Sequence, residues 1–187
     1  TGKQLQTLRG DRIVYIPQNG AEFLLPTRAV RKQLYDSLKK LGLPRKVFPA
    51  LAAEKLHLAG FDAPEMVLDK YPFQLSGGMA QRVALGRALV KNPPVILLDE
   101  PLGALDYFTR RTMQRELIRL YLEEKKSFIM VTHDVGEALR LGTRVIVLGE
   151  GRVARELPVD LQYPRPRSTP AFQGLIDEVL GAIGDGE

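Results

Sequence analysis

Short unbroken apolar runs alternate along the chain with longer stretches in which apolar residues recur at helical spacing. Four runs rich in β-branched and aliphatic residues predict strands: Ile13–Ile16, Val95–Leu98, Phe128–Val131 and Val145–Leu148. The second run has no alternation of polar and apolar residues, which predicts a parallel strand covered on both faces. Strands that alternate with helices in this order imply right-handed crossovers and a parallel sheet, so the pattern predicts an α/β fold.

The helical pattern occupies most of the remaining chain. It covers residues 27–60, interrupted by Gly42 and Pro44, then residues 76–91, 107–124 and 135–141, and an amphipathic end from Phe172. Gly60 is predicted to end the first stretch and Ser76 to begin the second. Residues 149–151 predict a turn after the last strand. The segment Arg165–Arg167 is interpreted as a solvated basic linker, with contact to anionic lipid as the alternative.

Composition narrows the classes of function. The 187 residues are 44% hydrophobic and 26% charged, which is typical of globular proteins. The absence of Cys excludes a disulfide scaffold, thiolate zinc or iron–sulfur sites and a Cys nucleophile. No apolar run approaches the roughly 20 residues of a membrane span. The net charge of +5 is spread along the chain, so it permits a nucleic-acid or membrane-surface partner without arguing for one.

Two adjacent carboxylates follow the second predicted strand. Asp99 and Glu100 come directly after Val95–Leu98, and ligands of open α/β sheets bind at the carboxyl ends of strands. Successive side chains on a strand diverge, so one acid can hold Mg²⁺ while the other orients or deprotonates a water for attack on a phosphoryl group. On these two residues alone, a plain turn or helix-capping acid pair remains the alternative.

A Gly-rich turn opens the predicted helix at residue 76. Ser76-Gly77-Gly78 would let a ligand approach the backbone closely, and the free N–H groups of a helix N-terminus favour an anion. Gln81 and Arg82 would lie one turn further in, where they support the loop or are solvated. The alternative is an ordinary Ser N-cap in a Gly-rich turn.

Single polar residues follow two other predicted strands. His133 comes after Phe128–Val131, where a neutral imidazole could hydrogen-bond a phosphate oxygen or an attacking water. Gln18 comes after Ile13–Ile16 and could reach a metal or a water. Each of these residues alone is also compatible with a structural role. His57 lies in a predicted helix without a partner motif, so it is interpreted as structural.

These features form a specific pattern when they are taken together and in order. The pattern is Gln18 after a strand, L-S-G-G-M-A-Q at 75–81, V-I-L-L-D-E-P at 95–101, G-A-L-D at 103–106 and T-H-D at 132–134. It resembles the nucleotide-binding (ATPase) subunit of ABC transporters, and the likeness covers nearly the whole chain. The resemblance implies a P-loop NTPase-like, mostly parallel sheet flanked by helices, with a helical subdomain. Leu24-Leu25-Pro26 and T-H-D-V-x-E-A at 132–138 are most similar to the nitrate, sulfonate and taurine importer group.

The resemblance assigns four residues to the chemistry of ATP hydrolysis. Asp99 would bind Mg²⁺, Glu100 would be the catalytic carboxylate and His133 would be the switch histidine. Gln18 would be the Q-loop glutamine, which senses Mg²⁺ and the attacking water and couples to the membrane subunits. The cofactors implied are ATP and Mg²⁺.

The resemblance also implies a site shared by two subunits. Residues 75–81 match the signature motif, which would contact the γ-phosphate of ATP held by the opposite subunit. Residues 103–106 match the D-loop at the dimer interface. The nucleotide-binding residues expected on this basis are Ser76, Gly77, Gly78, Gln81 and Asp106.

The Walker A motif is the one large departure from the family. No G-x-x-x-x-G-K-[S/T] occurs, and the Gly2-Lys3 pair lies too close to Gln18 to serve as one. The strand, loop and helix that carry Walker A are therefore expected to lie outside this chain, which begins with Thr1. The expected organisation is the end of a core strand region with the Q-loop at 1–23, a helical subdomain at 24–74, the ATPase core at 75–160, and a C-terminal linker and helix at 161–187.

The function expected from the resemblance is that of an ATPase subunit that powers import of a small anion such as nitrate, sulfonate or taurine. It would act as a homodimer or heterodimer, bound peripherally to transmembrane permease subunits on the cytoplasmic face of the inner membrane, without a nucleic-acid partner. The 187 residues alone are expected not to hydrolyse ATP without Walker A. The alternatives are a truncated fragment that docks on partner subunits without hydrolysis and a soluble ABC ATPase.

Overall fold

The chain divides into two compact units. The first ends at Val131 and the second begins at Thr132. The structure is a computed structural model that describes residues 12–103 and 105–184. The Gly2-Lys3 pair, the segment at 1–11 assigned ahead of the Q-loop, and Ala104 of the predicted D-loop lie outside the described residues. Each unit contains an apolar core of its own.

A parallel sheet of three described strands belongs to the first unit. Strands β1 (Ile13–Ile16), β2 (Val95–Asp99) and β3 (Ser127–Val131) lie in the order β1-β2-β3. Ile13 is opposite Val95 and Val95 is opposite Ser127, so the strands run in register. Their carboxyl ends therefore meet at one edge of the sheet. This arrangement confirms the predicted α/β class with a parallel sheet.

The two faces of this sheet differ in burial. Alternate residues of β1 and β2, including Ile16 and Ile96, are buried on one face. On the other face Tyr15, Ile129 and Val131 are 51%, 61% and 58% exposed. Val95 and Leu97 of β2 itself are half-buried on this face, so the prediction that the Val95–Leu98 strand is covered on both faces is met fully on one face and partly on the other.

Five α-helices are described in the first unit: α1 (Val30–Lys39), α2 (Phe48–Leu58), α3 (Glu65–Leu68), α4 (Gly77–Leu89) and α5 (Tyr107–Leu122). Short 3₁₀ turns lie at Gly20–Phe23, Arg45–Val47 and Pro72–Gln74. The two predicted boundaries at Gly60 and Ser76 are confirmed, because Gly60 follows α2 with φ +88° and Ser76 is the N-cap of α4. Within residues 12–103 and 105–184, no helix combines the length and the apolar character that crossing a bilayer needs.

The second unit contains α6 (Val135–Leu141), β4 (Arg144–Gly149), β5 (Arg152–Pro158) and α7 (Pro170–Gly184). The described partner of β4 is β5, and the two strands are antiparallel. The prediction that the Val145–Leu148 strand joins the parallel sheet is therefore wrong for the described residues. The tight turn between the strands accounts for their antiparallel pairing, since Glu150 and Gly151 both have positive φ, as a two-residue type I′ hairpin requires.

The basic linker is not fully solvated. Arg165 is only 4% exposed, so the interpretation of Arg165–Arg167 as a solvated linker is wrong for this residue. Its guanidinium lies 4.1 Å from the centre of the Tyr163 ring. Its nitrogens donate to backbone carbonyl oxygens at 2.5–3.3 Å, which satisfies the buried charge with hydrogen bonds; the acceptors are Leu139, Gly142, Val159 and Leu161.

Candidate functional site

Asp99 is the last residue of β2, at the carboxyl edge of the parallel sheet. Tyr15 lies opposite Leu97 in the register, so its side chain is on the same face as Asp99, two residues further along. The Tyr15 hydroxyl donates to Asp99 Oδ2 at 2.8 Å. This hydrogen bond to a carboxylate is the main reason that the pKa of Tyr15 is raised. One oxygen of Asp99 is thus held in place by a neighbouring strand.

Glu100 leaves the strand through an unusual backbone conformation. Its φ is +40°, in the left-handed region that non-glycine residues rarely adopt. Its N–H donates to Val131 O at 2.9 Å, which ties it to the end of β3. Its side-chain Oε2 accepts a hydrogen bond from Gln18 Nε2 at 3.1 Å. Backbone strain of this kind concentrates at functional sites, and here it turns the carboxylate toward Gln18.

The loop after Gln18 packs against α4. A Cβ atom at Gly20 would lie 2.6 Å from Gln81 Cα and 2.8 Å from Gln81 N, so only glycine allows this approach. Gln81 is 3% exposed, which excludes the solvated alternative and gives it a packing role beside the loop. Its assignment to the nucleotide remains a prediction. The loop after Gln18 and the helix that follows Ser76 are therefore in close backbone contact.

Replacing Gly20 with alanine is expected to lower the free energy of unfolding by about 1–3 kcal/mol, because the added methyl group meets backbone atoms that cannot rotate away. Urea unfolding followed by circular dichroism measures this loss. Gly174→Ala in α7 is the matched control, since nothing lies within 4 Å of its added Cβ and alanine favours a helix. Equal stability of Gly20→Ala and the unmodified chain would contradict the close approach.

The two glycines of the predicted signature loop have different surroundings. The Ser76 hydroxyl accepts the Met79 N–H at 3.3 Å, so the ordinary N-cap interpretation is realised. A Cβ at Gly78 would lie 2.6 Å from Thr109 Cγ2, so packing against α5 accounts for this glycine. A Cβ at Gly77 would meet nothing within 4 Å. Packing inside the chain does not account for Gly77, and its backbone is open to a ligand.

Asp106 caps α5, the helix against which Gly78 packs. Its Oδ1 accepts the N–H groups of Phe108 at 3.0 Å and Thr109 at 3.1 Å. Hydrogen bonds from the Thr109 side chain and from these backbone groups hold the pKa of Asp106 below its usual value. The carboxylate is exposed, and the cap fixes its position at the surface near the signature loop.

The two histidines have different positions. His133 is exposed and follows β3 directly in the chain, as the first residues of the second unit lead into α6. Asp134 is the N-cap of that helix. His57 Nδ1 lies 3.1 Å from Phe61 O within the first unit, which supports its structural interpretation. The structure thus brings Gln18, Asp99 and Glu100 together at the carboxyl ends of the parallel strands. His133 belongs to the second unit.

The oxygen donors at the strand edge fit Mg²⁺. No group of three or more His, Cys, Asp or Glu side chains in residues 12–103 and 105–184 is arranged to hold a metal ion. Mg²⁺ at a nucleotide needs only one or two protein carboxylates, because water and phosphate oxygens complete its coordination. Asp99 could supply the carboxylate, and the amide oxygen of Gln18 could be a second donor, since the nitrogen of that amide donates to Glu100.

Sequence reasoning missed three residues that shape this site: Tyr15, Gly20 and Thr109. The alternation of side chains along β1 could have indicated Tyr15, since it places this residue on the face of the strand opposite to buried Val14 and Ile16. Gly20 and Thr109 matter through contacts with distant residues, so no local pattern marked them.

Comparison with known proteins identifies the family. The ABC transporter family model matches residues 2–103. An uncharacterised ABC transporter ATP-binding protein of Methanocaldococcus jannaschii is 37% identical over 186 residues, which cover 98% of this chain and 67% of that protein. The aliphatic sulfonates import ATP-binding protein SsuB 1 of Pseudomonas fluorescens is 50% identical over 117 residues, covering 63% of this chain and 45% of that protein. The SsuB protein of Bacillus subtilis is 47% identical over 112 residues, covering 59% and 44% of the two chains. The chain thus spans about half the length of the sulfonate relatives.

Solved structures agree in fold. A dimeric ATP-binding cassette in a post-hydrolysis state, bound to ADP and phosphate, matches with a TM-score of 0.74 and 33% identity, covering 87% of this chain and 69% of that chain. A second dimeric ABC transporter cassette matches with a TM-score of 0.73 and 34% identity, with the same coverage. The strand edge with its acid pair, the family match and these relatives together show that the chain belongs to the ABC transporter family, among its ATPase domains.

Proposed function

We propose that this protein is the ATP-binding and ATP-hydrolysing subunit of an ABC importer. The observation that carries the proposal is the placement of Glu100, whose left-handed backbone directs its carboxylate to Gln18 at 3.1 Å. Asp99 lies beside it at the same strand edge, held by Tyr15. Two acids with different orientations at one edge fit the division between binding a cation and activating a water.

In this proposal Glu100 orients the attacking water and accepts its proton, while the water oxygen bonds to the γ-phosphorus and the bond to the β-phosphate oxygen breaks. Gln18 holds Glu100 and presents its amide oxygen to the cation site. Mg²⁺, bound by Asp99 and Gln18, would supply positive charge against the phosphate oxygens. His133 would hydrogen-bond the γ-phosphate or the water from the start of the second unit.

The nucleotide would lie between two subunits. Gly77 has open space around its backbone and Ser76 begins α4, so this loop can offer N–H groups to a phosphate held by a second copy. Gln81 and Asp106 would support this contact from α4 and from the cap of α5. The dimeric state of both similar cassettes supports two ATPase subunits per assembly.

In this proposal the protein is bound peripherally, on the cytoplasmic face of the inner membrane, to transmembrane permease subunits. Residues 24–74, which contain α1, α2 and α3, would form the helical subdomain that meets the permease. Residues 1–23 and 75–160 would form the ATPase core, and residues 161–187 the C-terminal linker and helix. No nucleic-acid partner is included, since the positive charge is not concentrated in one segment.

We propose an aliphatic sulfonate or a similar small anion as the transported substrate. The sulfonate import proteins among the relatives support this choice.

The test is deletion of the gene in its host and complementation with the full-length protein or its Glu100→Gln variant. We expect the deletion to abolish growth on an alkanesulfonate as sulfur source but not on sulfate, and only the unmodified protein to restore it. A full-length protein without ATPase activity would reject the ATPase proposal, whereas a growth defect confined to nitrate as nitrogen source would reject only the sulfonate.

The 187-residue polypeptide by itself is expected to hydrolyse no measurable ATP, because its sequence contains no G-x-x-x-x-G-K-[S/T] loop to cradle the β-phosphate. Phosphate release by this polypeptide and by the full-length protein gives the comparison. Turnover by the 187 residues that disappears in Glu100→Gln would contradict this expectation. A hydrolysing full-length protein beside an inactive 187-residue chain is the expected outcome.

A further inference from the structure

The residues on both sides of His133 are fixed by hydrogen bonds. Thr132 Oγ1 donates to Glu137 Oε2 at 2.9 Å and accepts the Asp134 N–H at 3.2 Å. Asp134 Oδ1 accepts the Glu137 N–H at 2.9 Å. Glu137 is 4% exposed, so this carboxylate is a buried anchor in the first turn of α6. His133 therefore projects from a short loop, residues 132–134, whose ends are both held.

Arg167 reaches this loop from the segment before α7. Its Nη2 donates to Asp134 Oδ1 at 3.3 Å, the same oxygen that caps α6. Its own carbonyl oxygen accepts a hydrogen bond from Gln173 Nε2 at 2.6 Å, which anchors the arginine backbone to α7. The Arg167 guanidinium thus connects the loop that carries His133 to the start of the last helix, in addition to the apolar packing between α6 and α7.

Gly136 makes room for this guanidinium. A Cβ atom at Gly136 would lie 2.6 Å from Arg167 Cζ and 3.0 Å from Arg167 Nε. Gly136 is in the first turn of α6 and has no positive φ, so its backbone conformation does not require glycine. Glycine usually weakens a helix relative to alanine, and the space it gives to Arg167 is the reason that the structure offers for it here.

We propose that Arg167 is a positioning residue for the loop at 132–134, and that it sets the orientation of His133 through Asp134. This inference rests on the proposed function, since the role of His133 in ATP hydrolysis is part of that function. The Arg167 and Asp134 side chains are 50% and 38% exposed, so the ion pair contributes little to stability. Its effect is on the placement of the loop, because the pair shares the oxygen that caps α6.

Arg167→Ala is expected to lower kcat for ATP hydrolysis by the full-length protein about fivefold, the rate equivalent of an exposed ion pair, with KM for ATP unchanged. The Glu137 amide, which donates to Asp134, is expected to exchange its hydrogen faster in this variant. Arg167→Lys keeps the charge, so its kcat and its Glu137 amide exchange rate are both expected to be close to those of the unmodified protein. Arg155→Ala is the matched control, since it removes an exposed arginine that pairs with Glu178 at 2.9 Å in the same unit.

Gly136→Ala tests the same contact without removing a charge. Its methyl group would displace the Arg167 guanidinium, so it is expected to lower kcat and speed Glu137 exchange as Arg167→Ala does. In the double variant Gly136→Ala/Arg167→Ala the second change is expected to add nothing, because the two act on one contact. The Gly136→Ala protein is expected to fold, since alanine favours the helix and the atoms nearest the added methyl group belong to the end of the flexible Arg167 side chain.

The outcomes separate this inference from the proposed function. Glu137 exchange in Arg167→Ala that equals the Arg155→Ala control would overturn the inference, and so would faster exchange with unchanged kcat. Independent, additive effects of Gly136→Ala and Arg167→Ala would also overturn it. If the unmodified full-length protein hydrolyses no ATP, the proposed function fails, while Glu137 exchange still decides whether Arg167 holds the loop.

Discussion

Replacing Glu100 with glutamine in the full-length protein is expected to lower kcat for ATP hydrolysis by about 10²–10⁴-fold, the range expected for loss of a general base. ATP affinity is expected to stay within about twofold, because phosphate binding depends on other groups. The structural reason is the 3.1 Å contact between Gln18 and Glu100 at the carboxyl edge of the sheet. Phosphate release and equilibrium nucleotide binding give the two measurements.

Glutamine is the appropriate replacement because it keeps the shape of the side chain and an oxygen that can accept from Gln18. It cannot take a proton from water, so the variant separates proton transfer from folding. The left-handed backbone at residue 100 is also equally strained by both residues. Loss of activity in this variant is therefore expected to report proton transfer, and an unchanged unfolding curve shows that the fold is retained.

Glu156→Gln is the matched control for this substitution. Glu156 is an exposed carboxylate of β5 that pairs with Arg144 at 3.1 Å, in the unit that does not contain Glu100. Its loss is expected to leave kcat within about twofold, since exposed ion pairs contribute little. A Glu100→Gln protein that hydrolyses ATP as fast as Glu156→Gln would remove Glu100 from the mechanism.

Replacing Arg165 with alanine is expected to lower the free energy of unfolding of the second unit by about 3 kcal/mol. The guanidinium is buried, and its removal leaves backbone carbonyl oxygens without donors in the apolar core around Phe172. Two of these oxygens belong to Leu139 and Gly142, at the end of α6 where a cation is favoured by the helix dipole. Urea unfolding of the variant measures the loss.

Arg165→Lys separates charge from hydrogen-bond geometry at this position. Lysine keeps the cation but replaces the planar fork by one nitrogen, so it is expected to recover less than half of the loss. Arg155→Ala, which removes an exposed guanidinium paired with Glu178, is expected to change stability by less than about 1 kcal/mol. If Arg165→Ala costs no more than Arg155→Ala, the buried hydrogen bonds do not support the fold.

The positions of the helices and strands could be predicted because they follow from local spacing. Gly60 and Ser76 bound their helices as expected, since a positive φ after a helix and a hydroxyl before one act on neighbouring backbone groups. The acid pair at the end of β2 was also expected, because the parallel order of strands determines which ends meet. These features depend on residues that are close in sequence or on strand order alone.

Predictions of burial and of strand partners were less successful. The Val95–Leu98 strand was expected to be covered on both faces, yet one face is buried and the other only half-buried, because an apolar run does not determine what packs against each side. The Val145–Leu148 strand was expected in the parallel sheet, and its described partner is β5; the turn at residues 149–151 was predicted, but strand pairing beyond that hairpin depends on the packing of distant elements. Gln81 was left open between support and solvent, and its burial against Gly20 depends on residues some sixty positions apart.

By itself, the sequence determined the fold class, the succession of elements and the motifs that carry the family, because hydrophobic period, caps and motif spacing are local properties of the chain. Tertiary structure decided which side chains meet. Tyr15 holds Asp99 across two strands, Gly78 makes room for Thr109, and Arg165 is buried in a segment whose composition suggested solvent. Each of these contacts joins residues far apart in sequence, and burial and hydrogen bonding between such residues depend on the packing of whole elements, which no local pattern encodes.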